Sequence, residues 1–132
     1  LGIIRVLEVI KDVPGKLYNG AIVSYLENNE VGKKVLMEKV VAAVNELHRL
    51  LKVSKIFGKE DAELCTYDVA HHAGLTLEGE YELLSIMNEL QRQEYLKRHL
   101  TKVLPVVAEM ESLKEKIKLN GHFKNLSSFN IP

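Results

Sequence analysis

The hydrophobic period of the sequence changes once, near Gly32, and this change limits the folds open to the chain. Before it, two runs rich in β-branched residues, 3–10 and 17–26, flank a Pro14-Gly15 turn signal, so they predict a β-hairpin. Apolar residues occupy both faces of these runs, and we therefore expect the hairpin to be covered on each side. Because a lone hairpin is marginal in water and no further convincing strand follows, either helices cover it or sheet partners are missing.

Beyond Gly32 the apolar residues recur about every 3.6 positions, which is typical of amphipathic helices. A break at 57–60 separates the first helix from a second, which has Asp61 as its expected N-cap and Gly74 as its C′ glycine. Thr76 is the expected N-cap of a third helix. The first helix places its apolar stripe on Leu36, Val40, Val44, Leu47 and Leu51. The predicted stripe of the third helix consists of Leu77, Tyr81, Leu84 and Met87.

A capping box of Asn88 with Gln91 begins the fourth helix, whose apolar stripe continues to Ile117. If this helix is continuous to Gly121, it is about 45 Å long. Pro105 removes one backbone hydrogen bond from it and predicts a bend. The predicted fold class is therefore α+β: an amino-terminal β-hairpin, then a mainly α-helical subdomain of about four helices that ends in a long helix.

The length of 132 residues fits one domain. We divide it into the end of a β-subdomain at 1–30, a helical subdomain at 31–121 and a tail at 122–132, which packs back on the fold or frays. The chain begins with Leu1 and enters apolar residues at once. We therefore expect it to be a piece of a longer protein, with the hairpin as the remnant of a small β-subdomain.

The charged residues balance, with 18 Lys and Arg against 18 Asp and Glu. This balance argues against nucleic-acid and membrane partners, which need a clustered surplus of positive charge. The basic stretch at 92–102 is accompanied by Glu89 and Glu94, so we interpret it as a solvated helix face. No apolar run approaches the roughly 20 residues of a membrane helix, and no signal peptide opens the chain. The single cysteine, Cys65, suits a reducing compartment, and we expect a cytoplasmic protein.

The sequence contains no motif of a known reaction. A phosphate-binding loop of the form GxxxxGK followed by Ser or Thr is absent. Cys65 lies in an apolar register and is expected to be a core thiol. Asp68 and His72, four residues apart, offer two ligands to a small metal enzyme, but a carboxylate hydrogen-bonded to an imidazole explains them more simply. We therefore predict no catalytic residue, no metal and no cofactor.

Four aromatic residues remain without a reaction: Tyr18, Tyr25, Phe123 and Phe129. They form either an adhesive surface for extended peptides or the packing between the hairpin and the helices. On the first interpretation they are the candidate substrate-binding residues.

The order of several segments along the chain resembles the order found in a known protein family. The first two are GIIRVLEV at 2–9 and YNGAIVSYLE at 18–27; they are followed by YDVAHHAGL at 67–75, LEGEYELL at 77–84 and NELQR at 88–92, before the long helix. In this succession the chain resembles the carboxyl-terminal part of the Lon substrate-binding domain. That domain is the amino-terminal module of ATP-dependent Lon proteases and also occurs in free-standing proteins.

The resemblance implies a non-catalytic domain that recognises unfolded or tagged polypeptides for proteolysis and aids assembly. The ATPase module and the peptidase module with its Ser-Lys pair are absent, so we expect this chain not to be an enzyme, while its parent would be an ATP-dependent serine protease. The alternative is a free-standing helical interaction or scaffold domain unrelated to proteolysis. The open edge of the hairpin also predicts self-association, by pairing with another copy.

Overall fold

A computed structural model of the chain describes the backbone of residues 3–129 and the side chains as far as Gly121. It confirms the α+β class, because a β-hairpin precedes a helical subdomain that ends in a long helix. The elements are β1 (Ile4–Ile10), β2 (Gly20–Tyr25), α1 (Lys34–Leu50), a 3₁₀ turn (Asp61–Glu63), α2 (Thr66–Ala70), α3 (Leu77–Ser85) and α4 (Glu89–Phe129).

The hydrophobic core lies between α1 and the first half of α4. Contacts at their ends show that these helices are parallel, because the Lys33 amide donates to Gln93 Oε1 at 3.0 Å and Lys52 Nζ lies 3.6 Å from Glu115 Oε1. Residues from α2 and α3, with Leu64 before them, complete the core. Its most deeply buried apolar members are Val40, Val44, Val69, Ala73, Leu83, Leu96 and Leu100. The predicted stripe of the first helix is thus confirmed for Val40, Val44 and Leu47, whereas Leu51 is exposed.

The helix boundaries follow local hydrogen bonds. Thr76 caps α3 as predicted, since its hydroxyl accepts from the Gly79 amide at 3.0 Å, and Gly74 has the left-handed φ of 71°. The predicted start of the second helix at Asp61 is wrong. The Asp68 carboxylate accepts from the Cys65 amide at 2.9 Å, which places the first turn of α2 at Thr66.

The long helix α4 runs without interruption through Pro105 to Phe129. Its 41 residues correspond to about 60 Å of helical rise, longer than the predicted helix. The first eight residues of the predicted tail, 122–129, are helical in their backbone, while 130–132 lie outside the described residues. No helix in the described part of the chain is both long enough and apolar enough to cross a membrane.

Candidate functional site

The register of the hairpin gives it one entirely apolar face. The strands pair antiparallel, with Ile4 opposite Tyr25, until a bulge between Val6 and Glu8 leaves Leu7 without a partner. Residues directly opposite each other point to the same face, and the bulge shifts the alternation of β1 by one residue. The apolar hairpin face therefore consists of Ile4, Val6, Val9, Ala21, Val23 and Tyr25.

The opposite face of the hairpin is mixed. Arg5 pairs with Ser24 and Glu8 with Ile22 across the strands, and Ile10 pairs with Gly20. Simple alternation placed Ile10 on the face of Ile4 and Val9 on the opposite face. That assignment is wrong for these two residues, because the bulge moves Val9 to the face of Ile4 and places Ile10 on the mixed face.

The apolar hairpin face is open to solvent. Val6 is 53%, Val9 60% and Tyr25 83% exposed, so no helix covers this face in the described part of the chain. The expectation that the hairpin would be covered on each side is therefore wrong for these residues. A contiguous exposed apolar surface of this kind marks an interaction site on a folded protein.

The edges of the hairpin are also open. The described sheet has two strands, so each strand has one edge whose amide and carbonyl groups pair with no other strand of the described chain. Such an edge accepts a further strand from another polypeptide. The hairpin thus offers backbone hydrogen bonds beside an apolar face.

The structure describes the side chains of two of the four predicted aromatic residues, Tyr18 and Tyr25. Tyr25 lies at the end of β2 within the apolar hairpin face, whereas Tyr18 lies before the start of β2, and both are exposed. Neither fills a junction with the helices. Phe123 and Phe129 lie on the last turns of α4, and their side chains are outside the described residues. The aliphatic members of the face, such as Val6, were missed because their strands were expected to be covered.

A second open surface lies on α3. Leu77 and Tyr81 are 83% and 70% exposed, although the helical period assigned them to the apolar stripe. They line a groove of about 840 Å³ whose rim carries Glu78, Glu80 and Glu82. This assignment was wrong because α3 has nine residues and packs inward through Leu83 instead.

A buried polar cluster attaches the segment after the hairpin to the helices. Arg92, 1% exposed, lies 3.0 Å from the Glu89 carboxylate and also donates to Thr66 Oγ1 and Asn28 Oδ1. The same guanidinium donates to the Ile86 carbonyl and stacks over the Tyr67 ring, 4.3 Å from its centroid. The interpretation of Glu89 and Arg92 as part of a solvated helix face is therefore wrong.

Glu89 and Asn29 extend this attachment through the backbone. The Glu89 carboxylate accepts from the amide and the hydroxyl of Thr66, at 2.8 and 2.6 Å. Asn29 donates its amide to the Met87 carbonyl at 3.0 Å, and its carbonyl accepts from the Glu89 amide at 2.8 Å. The chain is thereby fixed immediately after β2, while the hairpin itself projects from the helices.

Asp68 does not pair with His72. Its carboxylate accepts from the Cys65 amide and thiol and from Lys59 Nζ, which lies 3.2 Å away. The carbonyl of His72 instead lies 2.8 Å from His48 Nε2. The predicted carboxylate–imidazole pair is therefore wrong, because capping α2 occupies the carboxylate.

Cys65 lacks the surroundings of a nucleophile. Burial, followed by the hydrogen bond to the Asp68 carboxylate, raises the pKa of its half-buried thiol. A raised pKa lowers the thiolate fraction at neutral pH and hence the reactivity. Among the described side chains, no group of three His, Cys, Asp or Glu residues is arranged to hold a metal ion.

Comparison with known proteins adds no relative, because no family model, no curated protein and no solved structure matches the chain.

Proposed function

We propose that the chain is a non-catalytic substrate-recognition domain, related to that of Lon proteases, which binds unfolded or tagged polypeptides for proteolysis. The observation that carries the proposal is the exposed apolar hairpin face beside open strand edges. The order of segments that resembles the Lon substrate-binding domain supports the same assignment.

The hairpin can bind an extended polypeptide by strand addition. The backbone of the polypeptide pairs with the free edge of β1 or β2, and these hydrogen bonds are independent of sequence. Alternate side chains of the added strand extend the apolar hairpin face, so apolar residues at every second position strengthen binding. This mode suits a domain that must bind many different substrates.

The same mode distinguishes unfolded from folded proteins. A folded protein has already paired most of its backbone groups and buried most of its large apolar side chains. An unfolded segment offers unpaired backbone groups and exposed apolar side chains at once. Arg5 and Glu8 on the mixed face balance in charge, so we expect little selection by substrate charge.

Catalysis belongs, in this proposal, to an ATPase and a peptidase that act after binding, and not to this chain. The chain would bind the polypeptide and hold it for transfer. A cytoplasmic location fits this role and the single thiol, which a reducing compartment keeps free.

The proposal is tested by titrating the chain into a fluorescently labelled model protein whose cysteines are reduced and alkylated so that it stays unfolded. Binding is measured by anisotropy, with the same protein in its native, disulfide-bonded form as the control ligand. Val6→Glu places a charge on the apolar hairpin face, and Ile22→Glu places one on the mixed face at similar exposure, 53% against 48%.

We expect the unfolded ligand to bind and the native ligand not to bind. Val6→Glu should weaken binding at least tenfold, since a charge on this face must be desolvated on contact, while Ile22→Glu should change it less than threefold. Equal affinity for the native and unfolded ligands would contradict the proposal. So would an unchanged affinity of the Val6→Glu variant.

The α3 groove favours the alternative function, a helical interaction or scaffold domain unrelated to proteolysis. Its acidic rim and apolar floor suit a basic amphipathic segment of a partner protein. A labelled basic amphipathic helical peptide serves as the probe, with Tyr81→Lys as the variant. If this peptide binds, Tyr81→Lys abolishes the binding and the unfolded ligand does not bind, the scaffold function replaces substrate recognition.

A further inference from the structure

The second half of α4 carries an exposed apolar stripe that no described element covers. Its members are between 54% and 63% exposed, and they lie on a single side of the helix. We refer to them as the distal stripe, which consists of Val106, Met110, Leu113 and Ile117.

The distal stripe lies to one side of the face of α4 that packs against α1. At about 100° per residue, its centre lies roughly a quarter of a turn from Leu100 and Val107, which pack toward the core. Nearer the start of α4, the same side of the helix is covered, because His99 Nε2 lies 2.9 Å from the Ala73 carbonyl. The stripe therefore begins where that cover ends.

The spacing of the stripe is that of a helix-pairing seam. Its steps of four, three and four residues alternate as in a heptad pattern, which keeps a straight line of contact with a second helix. The next seam position is Asn120, a polar residue. The seam is therefore about 17 Å long by helical rise, enough for four layers of side chains but not for a long coiled coil.

The charges beside the seam are self-complementary. Glu109 and Lys116 flank the seam on the same side, seven residues apart, and both are exposed. Neither has an ion-pair partner among the described side chains. In an antiparallel pair with Met110 opposite Leu113 of the second copy, each Glu109 meets a Lys116, so the contact occurs twice.

A parallel pair would use a different charge. It would place Glu109 beside Lys114 of the second copy, but Lys114 already lies 3.0 Å from Glu111 of its own helix. A parallel pair also brings the two helical cores to the same end of the seam. The antiparallel arrangement leaves them at opposite ends.

We propose that the distal stripe is the seam of an antiparallel homodimer, in which two copies of α4 pack through Val106, Met110, Leu113 and Ile117. The occupant is a second copy of this chain because both the heptad spacing and the flanking charges complement themselves. This inference does not depend on polypeptide binding at the hairpin.

The test is sedimentation equilibrium of the chain between about 1 µM and about 1 mM, a range that covers weak to moderate association. Leu113→Glu interrupts the seam. Leu119→Glu is the matched control, since Leu119 is equally exposed, 57% against 56%, on nearly the opposite side of the same helix. We expect a dimer for the unmodified chain and for Leu119→Glu, and a monomer for Leu113→Glu. Circular dichroism confirms that each variant remains helical.

Three results would overturn the proposal. The first is an unmodified chain that is monomeric throughout the concentration range. The second is a dimer that survives Leu113→Glu, and the third is equal dissociation of the Leu113→Glu and Leu119→Glu dimers. A dimer that survives Leu113→Glu but dissociates with Val6→Glu is held by the hairpin instead.

A charge exchange tests the orientation of the helices. Glu109→Lys alone should weaken the dimer at least threefold, and adding Lys116→Glu should restore it. Restoration by Lys114→Glu instead would establish a parallel pair and overturn the antiparallel geometry. If neither Lys116→Glu nor Lys114→Glu restores the dimer, the assigned contact between Glu109 and Lys116 is overturned.

Discussion

Replacing Arg92 with methionine should destabilise the chain strongly, because it leaves a buried carboxylate without its cation. The side chains of Arg92 and Glu89 are 1% and 4% exposed. Thr66 would still donate two hydrogen bonds to that carboxylate, but the charge would be uncompensated. Breaking one partner of a buried ion pair costs about 3–5 kcal/mol, against a total stability of about 5–15 kcal/mol for a typical domain.

The chain contains a matched control for this change. Arg49 pairs with Glu46 at 2.6 Å with the same spacing of three residues, but these side chains are 69% and 45% exposed. Water solvates both charges of this pair before and after the substitution. Arg49→Met should therefore leave the unfolding midpoint unchanged within error.

The measurement is urea unfolding followed by far-ultraviolet circular dichroism. With a typical slope of about 1–3 kcal/mol per molar urea, Arg92→Met should lower the midpoint by about 1 M or more. Adding Glu89→Gln removes the second charge, so the double variant should lose less stability than the two single losses added together, by about 0.5–3 kcal/mol. A loss for Arg92→Met no larger than that for Arg49→Met, or strict additivity, would refute the reasoning.

Two further predictions concern local features of the helical subdomain. Burial, together with the positive charges of Lys55 and its histidine neighbours, lowers the pKa of His72 from 6.5, so the unfolded chain binds a proton more readily. The contribution of His72 to the free energy of unfolding should therefore be complete above about pH 6.5 and decline as the pH falls below it. His72→Asn should reduce this decline, which is measured by urea unfolding at a series of pH values. An identical decline in the variant and the unmodified chain would contradict the prediction. Gly32→Ala should destabilise the chain by about 1 kcal/mol or more, because the added Cβ would overlap the buried Gln93 amide group and break its bond to a backbone amide. Gly58→Ala, which meets no atom within 4 Å, is the control in the same assay, and equal midpoints for both variants would contradict the assigned contact.

The fold was predictable wherever a short sequence window determines the structure. The strand pattern predicted the hairpin, and the period of 3.6 predicted the packed side of α1. The N-cap at Thr76 depends on a residue type with a strong local preference, and it too was correct. Gly74 has the left-handed φ expected of a glycine at a helix end, but α2 ends earlier, at Ala70, so it is not the C′ residue of that helix. Each of these inferences needs no knowledge of distant neighbours.

The candidate site depends on distant neighbours, and for that reason much of it was missed. Glu89 and Arg92 have the same spacing as Glu46 and Arg49, so the sequence does not distinguish a buried pair from an exposed one. Burial is decided by Thr66 and other residues remote in sequence. The bulge at Leu7 also has no local signal of glycine or polar residues, yet it determines which residues form the apolar hairpin face.

The positions of polar and apolar residues separate binding from stability. The cluster around Arg92 is polar and buried, and it fixes the chain immediately after β2, whereas the hairpin presents its apolar face to solvent. Because that face contributes little to the core, a charge at Val6 should weaken polypeptide binding at least tenfold while leaving the urea midpoint of the helices nearly unchanged. Arg92→Met should have the opposite pattern at a temperature where the chain remains folded. A single variant that altered both properties equally would mean that the hairpin and the helices form one cooperative unit, with the hairpin face as part of its packing.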